Sequence, residues 1–356
     1  MCPPFLIFST CRKEAGSMNK FFEYRSIFAP YIEHYIQEKE MRGYKATQLK
    51  WMLLEFDRFF VQTAKKDLFI SLPDISNWAS TRISDKPNTL YQKHCAMASF
   101  CRYMCLLGHE CYIPTLPRKR TSQYVPTIFT HEQMNGLFDG SDHLVMKEHH
   151  AQSIMIIIPA LLRVLYSTGI RISEALSIKN KDVDFDRKAI VLNQTKNGCQ
   201  RLAPVNESLS RVLRQYINYR NRIPAPDVAH GDAHLFVSST GKPCSRKTVL
   251  TYFHRIIETC GIRRCCNQRG PSVHAIRHTA AVHSMVQLTQ SGVDVYTSLP
   301  LLATFMGHKK VLDTQTYVRL TQEMYPDLLK MNTEISNQVY SCILTQLRQD
   351  YENSRN

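Results

Sequence analysis

The sequence contains a short segment, His274 to His283, that holds three histidines and one arginine in ten residues. His274 and Arg277 are three residues apart, so both side chains lie on one face if the segment is helical. A histidine and an arginine on one face can bind a single phosphate, the arginine through its planar guanidinium. The segment contains no Cys, Asp or Glu that could complete a local metal site.

Other residues in the second half of the chain also have types that suit phosphate chemistry. An arginine and a glutamate occur in TGIRISEAL, a lysine stands beside the dipeptide NG, and a histidine follows the glycine of FMGHKK. A tyrosine follows that histidine by nine residues. The NG dipeptide is the strongest short-range signal of a β-hairpin, so the lysine is expected at a tight turn. These residues are Arg171, Glu174, Lys196, His308 and Tyr317.

In chain order, the set resembles the tyrosine recombinases, which are also called the phage integrase family. The shared pattern is an arginine in TGIRISEAL, a lysine in a hairpin turn, HAIRH, GH and a later tyrosine. The similarity spans residues 130–325, and the segments RHT and YVRLT also look like the family.

The resemblance implies a role for each residue. Tyr317 is the expected nucleophile, which attacks a DNA phosphodiester and forms a 3′-phosphotyrosine. Arg171, Arg277 and His308 are expected to bind the non-bridging oxygens, where negative charge gathers in the transition state. Lys196 is expected to act as the general acid that protonates the leaving 5′-oxygen.

Two further residues have supporting roles in this interpretation. His274 either assists proton transfer from Tyr317 or orients the phosphate, and Glu174 orients the arginine three residues before it. No metal or other cofactor is expected, because arginines take the place of the metal ions that clamp phosphates in other enzymes. The phosphotyrosine conserves the bond energy, so no ATP is expected either.

The expected partner is double-stranded DNA carrying recombination sites, bound by a homo-tetramer on two synapsed sites.

The segment between Arg277 and His308 is several residues longer than is usual in the family. The extra residues, VYTSLP, are expected before the helix that presents His308. This arrangement is similar to variants carried by integrative and transposon-like elements. The sequence therefore predicts a mobile-element integrase for DNA integration, excision or transposition, with a separate directionality factor as an optional partner.

The charge of the chain also favours an anionic partner. The 356 residues include 45 Lys and Arg against 30 Asp and Glu, a formal net charge of +15. Residues 196–277 contain fourteen Lys or Arg and four Asp or Glu, so 14 − 4 = +10 of that charge lies in this segment. Such clustering indicates a binding surface for nucleic acid.

The hydrophobic pattern predicts a mainly α fold with a small β-sheet, of the α+β class. Apolar residues repeat at helical spacing through the first part of the chain, and helices are expected at Pro73–Arg82 and Asn88–Leu107. The second part is expected to contain a buried helix at Ile154–Thr168, a hairpin around Lys196, and helices at Ser245–Cys260 and His274–Leu288. We expect a possible extension (1–17), a helical core-binding, SAM-like domain (18–110), a basic linker (111–126) and a catalytic domain (127–356).

Several cations outside the catalytic set are candidates for DNA contacts. Arg118, Lys119 and Arg120 lie in the proline-rich linker, where they either contact a phosphate backbone or are simply solvated. Arg246 and Lys247 follow a predicted cap at Ser245. Cations in the first turn oppose the helix dipole, so a bound phosphate would explain them.

Some residues near the predicted site receive structural interpretations. His278 and His283 are expected to serve helix packing, and Tyr325 competes only weakly with Tyr317 as the nucleophile. Lys309 and Lys310 either touch phosphate or are solvated. A zinc site is conceivable at Cys101, Cys105, His109 and Cys111, which lie close together in the sequence. Packing is favoured instead, because Cys101 and Cys105 fall on an apolar stripe of one predicted helix and buried cysteines behave as small apolar residues.

The end of the chain is expected to form an apolar-striped helix from Leu328 to Ile343. In the family such a helix docks on a neighbouring protomer, and packing on its own protomer is the alternative.

The cysteines lack regular spacing and a secretory context, which predicts reduced thiols and a cytoplasmic location. Met18 is an alternative start to Met1. No apolar run reaches the roughly 20 residues that span a bilayer.

Two rival functions are consistent with parts of the pattern. A type IB topoisomerase-like enzyme would use the same chemistry and reseal the same strand, but the C-terminal stripe suits an oligomer better. A non-catalytic DNA-binding relative acting as a repressor would not require the complete catalytic set. A histidine-metal nuclease is disfavoured because the histidine segment lacks neighbouring carboxylates.

Overall fold

The structure is a computed structural model that describes residues 22–117, 125–145, 153–193, 200–262 and 271–325. The chain divides into two compact units, Met1–Tyr124 and Val125–Asn356. Both are mainly helical, and the second also holds a three-stranded sheet, so the expected fold class is confirmed. Within the described ranges, no helix is both long and apolar enough to cross a membrane.

In residues 22–117, the first unit has four α-helices around an aromatic core. Proline or a capping serine starts three of them; for instance, Ser71 and Asp74 form a capping box at the start of the third helix. Fully buried rings such as Phe28, Phe60 and Trp78 fill the space between the helices. The helices are α1 (Ala29–Met41), α2 (Thr47–Gln62), α3 (Leu72–Ser80) and α4 (Pro87–Leu106).

The cysteine stripe of α4 faces this core. Cys101 and its helical neighbours Met97 and Met104 are buried, which confirms the packing interpretation for these three residues. The thiol of Cys105 donates to the carbonyl of Cys111. Among the described residues, no three His, Cys, Asp or Glu side chains converge as metal ligands would.

The second unit contains eight α-helices within its described ranges. α5 begins with the predicted capping box of Thr130 and Gln133. α6 buries seven of its eleven residues and ends at Gly169, whose positive φ of 59° is the left-handed conformation that suits a glycine C-cap. The helices are α5 (His131–Asp142), α6 (Ile158–Thr168), α7 (Ile172–Ser177), α8 (Glu207–Arg220), α9 (Arg246–Thr259), α10 (His274–Gln290), α11 (Val295–Met306) and α12 (Gln315–Met324).

The sheet has the antiparallel order β1-β2-β3, from Val183–Asp184, Ala189–Leu192 and Arg201–Pro204. Ile190 pairs with Ala203, and Leu192 pairs with Arg201, which is the register of a hairpin between β2 and β3. The two strands are those predicted from the sequence. The segment between these strands that holds Lys196, residues 194–199, lies outside the described residues, so the predicted turn stays a prediction.

The helices α10, α11 and α12 pack on one another and enclose a small apolar cluster that includes Met306 and Tyr317. The prediction that the segment VYTSLP precedes α11 is wrong, because this segment forms the first half of α11. The reason is a cap: the carboxylate of Asp294 accepts hydrogen bonds from the backbone amides of Tyr296 and Thr297, which starts the helix at Val295.

Besides the turn at Lys196, three predictions concern segments that lie outside the described residues. They are the N-terminal extension (1–17), the linker cations Arg118, Lys119 and Arg120, and the C-terminal helix from Leu328 to Ile343.

Candidate active site

Arg277 is a buried arginine on α10 that is held by the ends of two other helices. Its guanidinium donates to the carbonyl of Gly169, at the end of α6, and to the carbonyl of Met306, at the end of α11, at 2.6 Å. The residue is only 2% exposed. Burial, together with the positive charge of Arg171, lowers the pKa of Arg277 to about 10. It therefore carries a fixed positive charge at neutral pH.

Glu174 is a buried carboxylate that orients two arginines. One oxygen accepts from the Arg171 guanidinium at 2.8 Å, and the other accepts from the Arg171 backbone amide at 2.9 Å and the Arg201 guanidinium at 2.8 Å. Burial raises the pKa of Glu174, but hydrogen bonds from Arg171 and the charge of Arg201 outweigh burial and leave the pKa below its ordinary value. The carboxylate is therefore ionised and braces both guanidinium groups.

Arg201, on β3, is a member of this cluster that the sequence did not indicate. Besides contacting Glu174, it donates to the carbonyl of Phe305 at 2.8 Å, in the last turn of α11. Its Nε is buried and has no hydrogen-bond partner among the described residues. A Cβ on Gly307 would lie 2.5 Å from this Nε, so only glycine fits beside the guanidinium. Arg201 thus connects the hairpin to α7 and to the turn before His308.

His308 follows that turn, and both of its ring nitrogens are engaged. Its Nε2 lies 3.1 Å from the guanidinium of Arg277, and its Nδ1 lies 2.9 Å from the hydroxyl of Thr314. Because an arginine can only donate, Nε2 accepts and Nδ1 carries the hydrogen that is donated to Thr314. Burial and the charges of Arg277 and Arg171 lower the pKa of His308 to about 4. The ring is therefore neutral at pH 7.

Tyr317, in the first turn of α12, lies against these groups. It is 4% exposed, and its ring is parallel to that of His308, with the ring centres 6.2 Å apart. Burial raises the pKa of the phenol, while the positive charges of Arg277 and Arg171 oppose that rise. The second unit thus brings Arg171, Glu174, Arg277, His308 and Tyr317 together, as the sequence predicted.

His278 also belongs to this group, although the sequence predicted only a packing role for it. Its Nδ1 lies 3.0 Å from the phenolic oxygen of Tyr317. The available signal was its spacing, since His278 is four residues after His274 and shares its helix face. His274 itself is exposed, and its ring meets that of His278 edge-on at 4.6 Å. His283, by contrast, packs as expected, against His131 and Tyr166.

The remaining predicted residues lie outside this cluster or outside the described residues. Lys196 and the linker cations Arg118, Lys119 and Arg120 belong to the undescribed segments. Arg246 and Lys247 are exposed in the first turn of α9, whose cap is Ser245 as predicted: the Ser245 hydroxyl accepts from the Thr248 amide at 3.1 Å.

A family model described as the phage integrase family matches residues 128–324, which is more than half of the chain. The chain belongs to the phage integrase family. Members of this family, the tyrosine recombinases, are enzymes that cleave and rejoin DNA strands, so the expected enzyme class is confirmed. The match includes every described residue of the cluster, from Arg171 to Tyr317.

Two curated relatives illustrate the extent of the similarity. The integrase/recombinase y4rB of Sinorhizobium fredii is 25% identical over 312 residues, which cover 86% of this chain and 96% of the relative. The tyrosine recombinase XerD of Mycobacterium tuberculosis is 35% identical over 165 residues, which cover 46% of this chain and 47% of that protein.

Solved structures of integrases share the fold. XerH bound to its difH substrate, in a post-cleavage complex, has a TM-score of 0.60 at 18% identity, covering 83% of this chain and 82% of XerH. The Tn1549 transposon integrase in complex with circular intermediate DNA has a TM-score of 0.58 at 20% identity, covering 81% of this chain and 94% of that integrase chain. A lambda integrase tetramer bound to a Holliday junction has a TM-score of 0.54 at 16% identity, covering 79% of this chain and 77% of the lambda integrase chain.

Proposed function

We propose that this phage integrase family member is a site-specific recombinase that cleaves and rejoins double-stranded DNA through a 3′-phosphotyrosine at Tyr317, for DNA integration and excision. The observation that carries the assignment is the position of the Tyr317 phenol, buried among two arginines and two histidines of its own chain. A buried phenol in such surroundings is unusual for a core tyrosine, whereas a nucleophile aimed at an anionic phosphate requires them.

The arginines stabilise the transition state in this proposal. Arg171 and Arg277 provide positive charge where the non-bridging oxygens of the pentavalent phosphorus develop negative charge. Arg277 is fixed by two carbonyls and Arg171 by Glu174, so little reorganisation is needed during the reaction. Such preorganised charge commonly supplies the largest single contribution to catalysis.

His308 can donate to the same oxygens after a change of partner. In the structure its Nε2 accepts from Arg277 and its Nδ1 donates to the Thr314 hydroxyl, which can donate to Nδ1 instead in the other tautomer. When a phosphate takes the Arg277 guanidinium, Nε2 can carry the hydrogen instead and donate to the phosphate. Lys196 is assigned the protonation of the 5′-oxygen, and His274, exposed at the start of α10, the orientation of the phosphate.

The assembly and the cellular role are further parts of the proposal. DNA contacts are assigned to the helical first unit, to the linker cations Arg118, Lys119 and Arg120, and to Arg246 and Lys247 on α9. A homo-tetramer on two synapsed sites and a mobile-element origin are supported by the shared fold of the lambda tetramer and the Tn1549 integrase. A directionality factor and a cytoplasmic location complete the proposal.

Covalent trapping tests the proposed chemistry. Duplex DNA from the flanks of the chain's own gene is nicked so that the cleaved strand diffuses away, and is incubated with the enzyme in EDTA. We expect a DNA–protein adduct that survives SDS for the wild type and for Tyr325→Phe, and none for Tyr317→Phe. Sequence-specific binding without any wild-type adduct would favour the non-catalytic relative. An adduct that Tyr317→Phe retains would place the nucleophile elsewhere.

A further inference from the structure

We infer that His278 accepts the phenolic proton of Tyr317 when the tyrosine attacks DNA, which makes His278 a catalytic residue of the cleavage step. The inference rests on the proposed function, because it requires Tyr317 to be the nucleophile. It changes the assignment made from the sequence, in which His274 was the candidate for this proton transfer.

The geometry of the phenol supports this role. Its oxygen lies 3.0 Å from Nδ1 of His278, within the range of a hydrogen bond that can transfer a proton. In the tautomer with hydrogen on Nε2, the phenol donates to Nδ1. The contact links α10 to α12, so helix packing sets the distance before any substrate binds.

His308 is also near the phenol but is poorly placed to accept the proton. Its ring lies parallel to the tyrosine ring, at an angle of 10°, so it presents a face to Tyr317. Its Nε2 accepts from Arg277, and its Nδ1 is hydrogen-bonded to Thr314. The edge of His278, by contrast, points a nitrogen at the phenolic oxygen.

The protonation state of His278 is consistent with a proton acceptor. Burial, followed by the neighbouring His274, Arg277 and His308, lowers the pKa of His278 to about 4, so the ring is neutral at pH 7. These groups and Tyr317 face it from α10, from the turn after α11 and from α12. A bound phosphodiester adds a negative charge to this cluster, which favours the imidazolium form as the proton arrives.

Proton transfer to His278 accompanies the attack on phosphorus. The phenolic O–H bond breaks, its proton passes to Nδ1 of His278, and its electron pair forms the bond from oxygen to phosphorus. The bond from phosphorus to the 5′-oxygen breaks, and that oxygen takes a proton from Lys196 in the proposed mechanism. In rejoining, a 5′-hydroxyl returns its proton to Lys196 as its oxygen attacks phosphorus, the bond from phosphorus to the phenolic oxygen breaks, and the departing phenolate recovers its proton from His278.

A substitution that keeps the hydrogen bond but removes the base tests the inference. In His278→Asn the side-chain amide occupies the place of Nδ1 and can still contact the phenol, but it cannot accept a proton near neutral pH. His283→Asn is the matched control, since His283 is another histidine of α10 and it too contacts a tyrosine, Tyr166. Single-turnover cleavage of the nicked duplex is measured from pH 6.5 to 8.5, with DNA affinity measured separately.

We expect His278→Asn to cleave about 10²- to 10⁴-fold more slowly at pH 7, the usual contribution of general acid–base catalysis, with DNA affinity unchanged. Its rate should rise about tenfold per pH unit, because the phenol must then ionise without a base, while the wild type and His283→Asn stay nearly constant. Cleavage at the wild-type rate would overturn the inference. So would a slower rate with the same pH profile as the wild type, which indicates packing only. Absence of wild-type cleavage would instead refute the proposed function.

Discussion

The positive charges of the second unit are of two kinds, and they differ in how the protein holds them. Arg277 is buried, and its guanidinium is fixed by the carbonyls of Gly169 and Met306. Arg246 and Lys247 are exposed in the first turn of α9. Charge in a buried, preorganised position acts strongly on a developing oxyanion, whereas exposed charge is weakened by water and salt. The comparison therefore assigns catalysis to the buried cations and DNA affinity to the exposed ones.

The largest expected effect comes from changing the shape of a buried cation. Arg277→Lys keeps the charge, but an ammonium cannot contact both carbonyls and also present a planar fork to phosphate. We expect the rate of adduct formation to fall at least about 10²-fold, the usual cost of losing one preorganised donor. The control is Arg163→Lys, because Arg163 forms an ion pair with Asp142 at the surface. If both variants kept the wild-type rate, the distinction between the two kinds of charge would be lost.

A smaller effect is expected from the close approach of Gly307 to Arg201. Gly307→Ala adds a Cβ 2.5 Å from the Arg201 Nε, at a position with a φ of +65°. We expect destabilisation on the order of 1–3 kcal/mol and a slower cleavage rate, since Arg201 would leave Glu174. Denaturant unfolding measures the free energy.

A double-mutant cycle isolates the contact from the backbone strain. In the Arg201→Ala background the Cβ has room, so Gly307→Ala should cost clearly less than in the wild type, with a coupling of about 0.5–3 kcal/mol. Equal costs in both backgrounds would mean that Arg201 does not fix the turn before His308.

The buried histidine His283 predicts how the stability of the fold changes with pH. Burial, followed by the neighbouring His131, lowers the pKa of His283 to about 4, below its ordinary value of 6.5. Between about pH 4 and pH 6.5 the unfolded chain therefore binds more protons at this residue than the folded chain. The stability that the neutral His283 contributes is fully present above about pH 6.5 and is lost as the pH drops toward 4. In melting experiments, His283→Gln should weaken this pH dependence by on the order of 1 kcal/mol, and substitution of the exposed His143 should not. An unchanged pH dependence in His283→Gln would contradict the account.

The smallest effect on chemistry is expected from the exposed cations. Arg246→Ala with Lys247→Ala removes two charges that could contact phosphates, so DNA affinity should fall and its dependence on log salt should weaken by up to about two units. At saturating DNA the cleavage rate should remain that of the wild type. A loss of the rate itself would show that these cations act in the chemistry and would blur the comparison.

The sequence predicted the elements and most of the cluster because those signals are local. Helical spacing, the cap at Ser245 and the glycine that ends α6 each depend on a few consecutive residues. Contacts between distant segments were not predictable in this way. Arg201 contacts Glu174 only because β3 packs beside α7. Whether the phenol of Tyr317 contacts His274 or His278 depends on how α12 packs on α10.

The direct test of the central claim is to identify the residue that becomes linked to DNA. The trapped adduct is digested with nuclease and protease, and the nucleotide-bearing peptide is sequenced by tandem mass spectrometry. The account predicts a nucleotide on the phenolic oxygen of Tyr317, the buried tyrosine beside Arg277, His278 and His308. A nucleotide on Tyr325, or on any other residue, would contradict it.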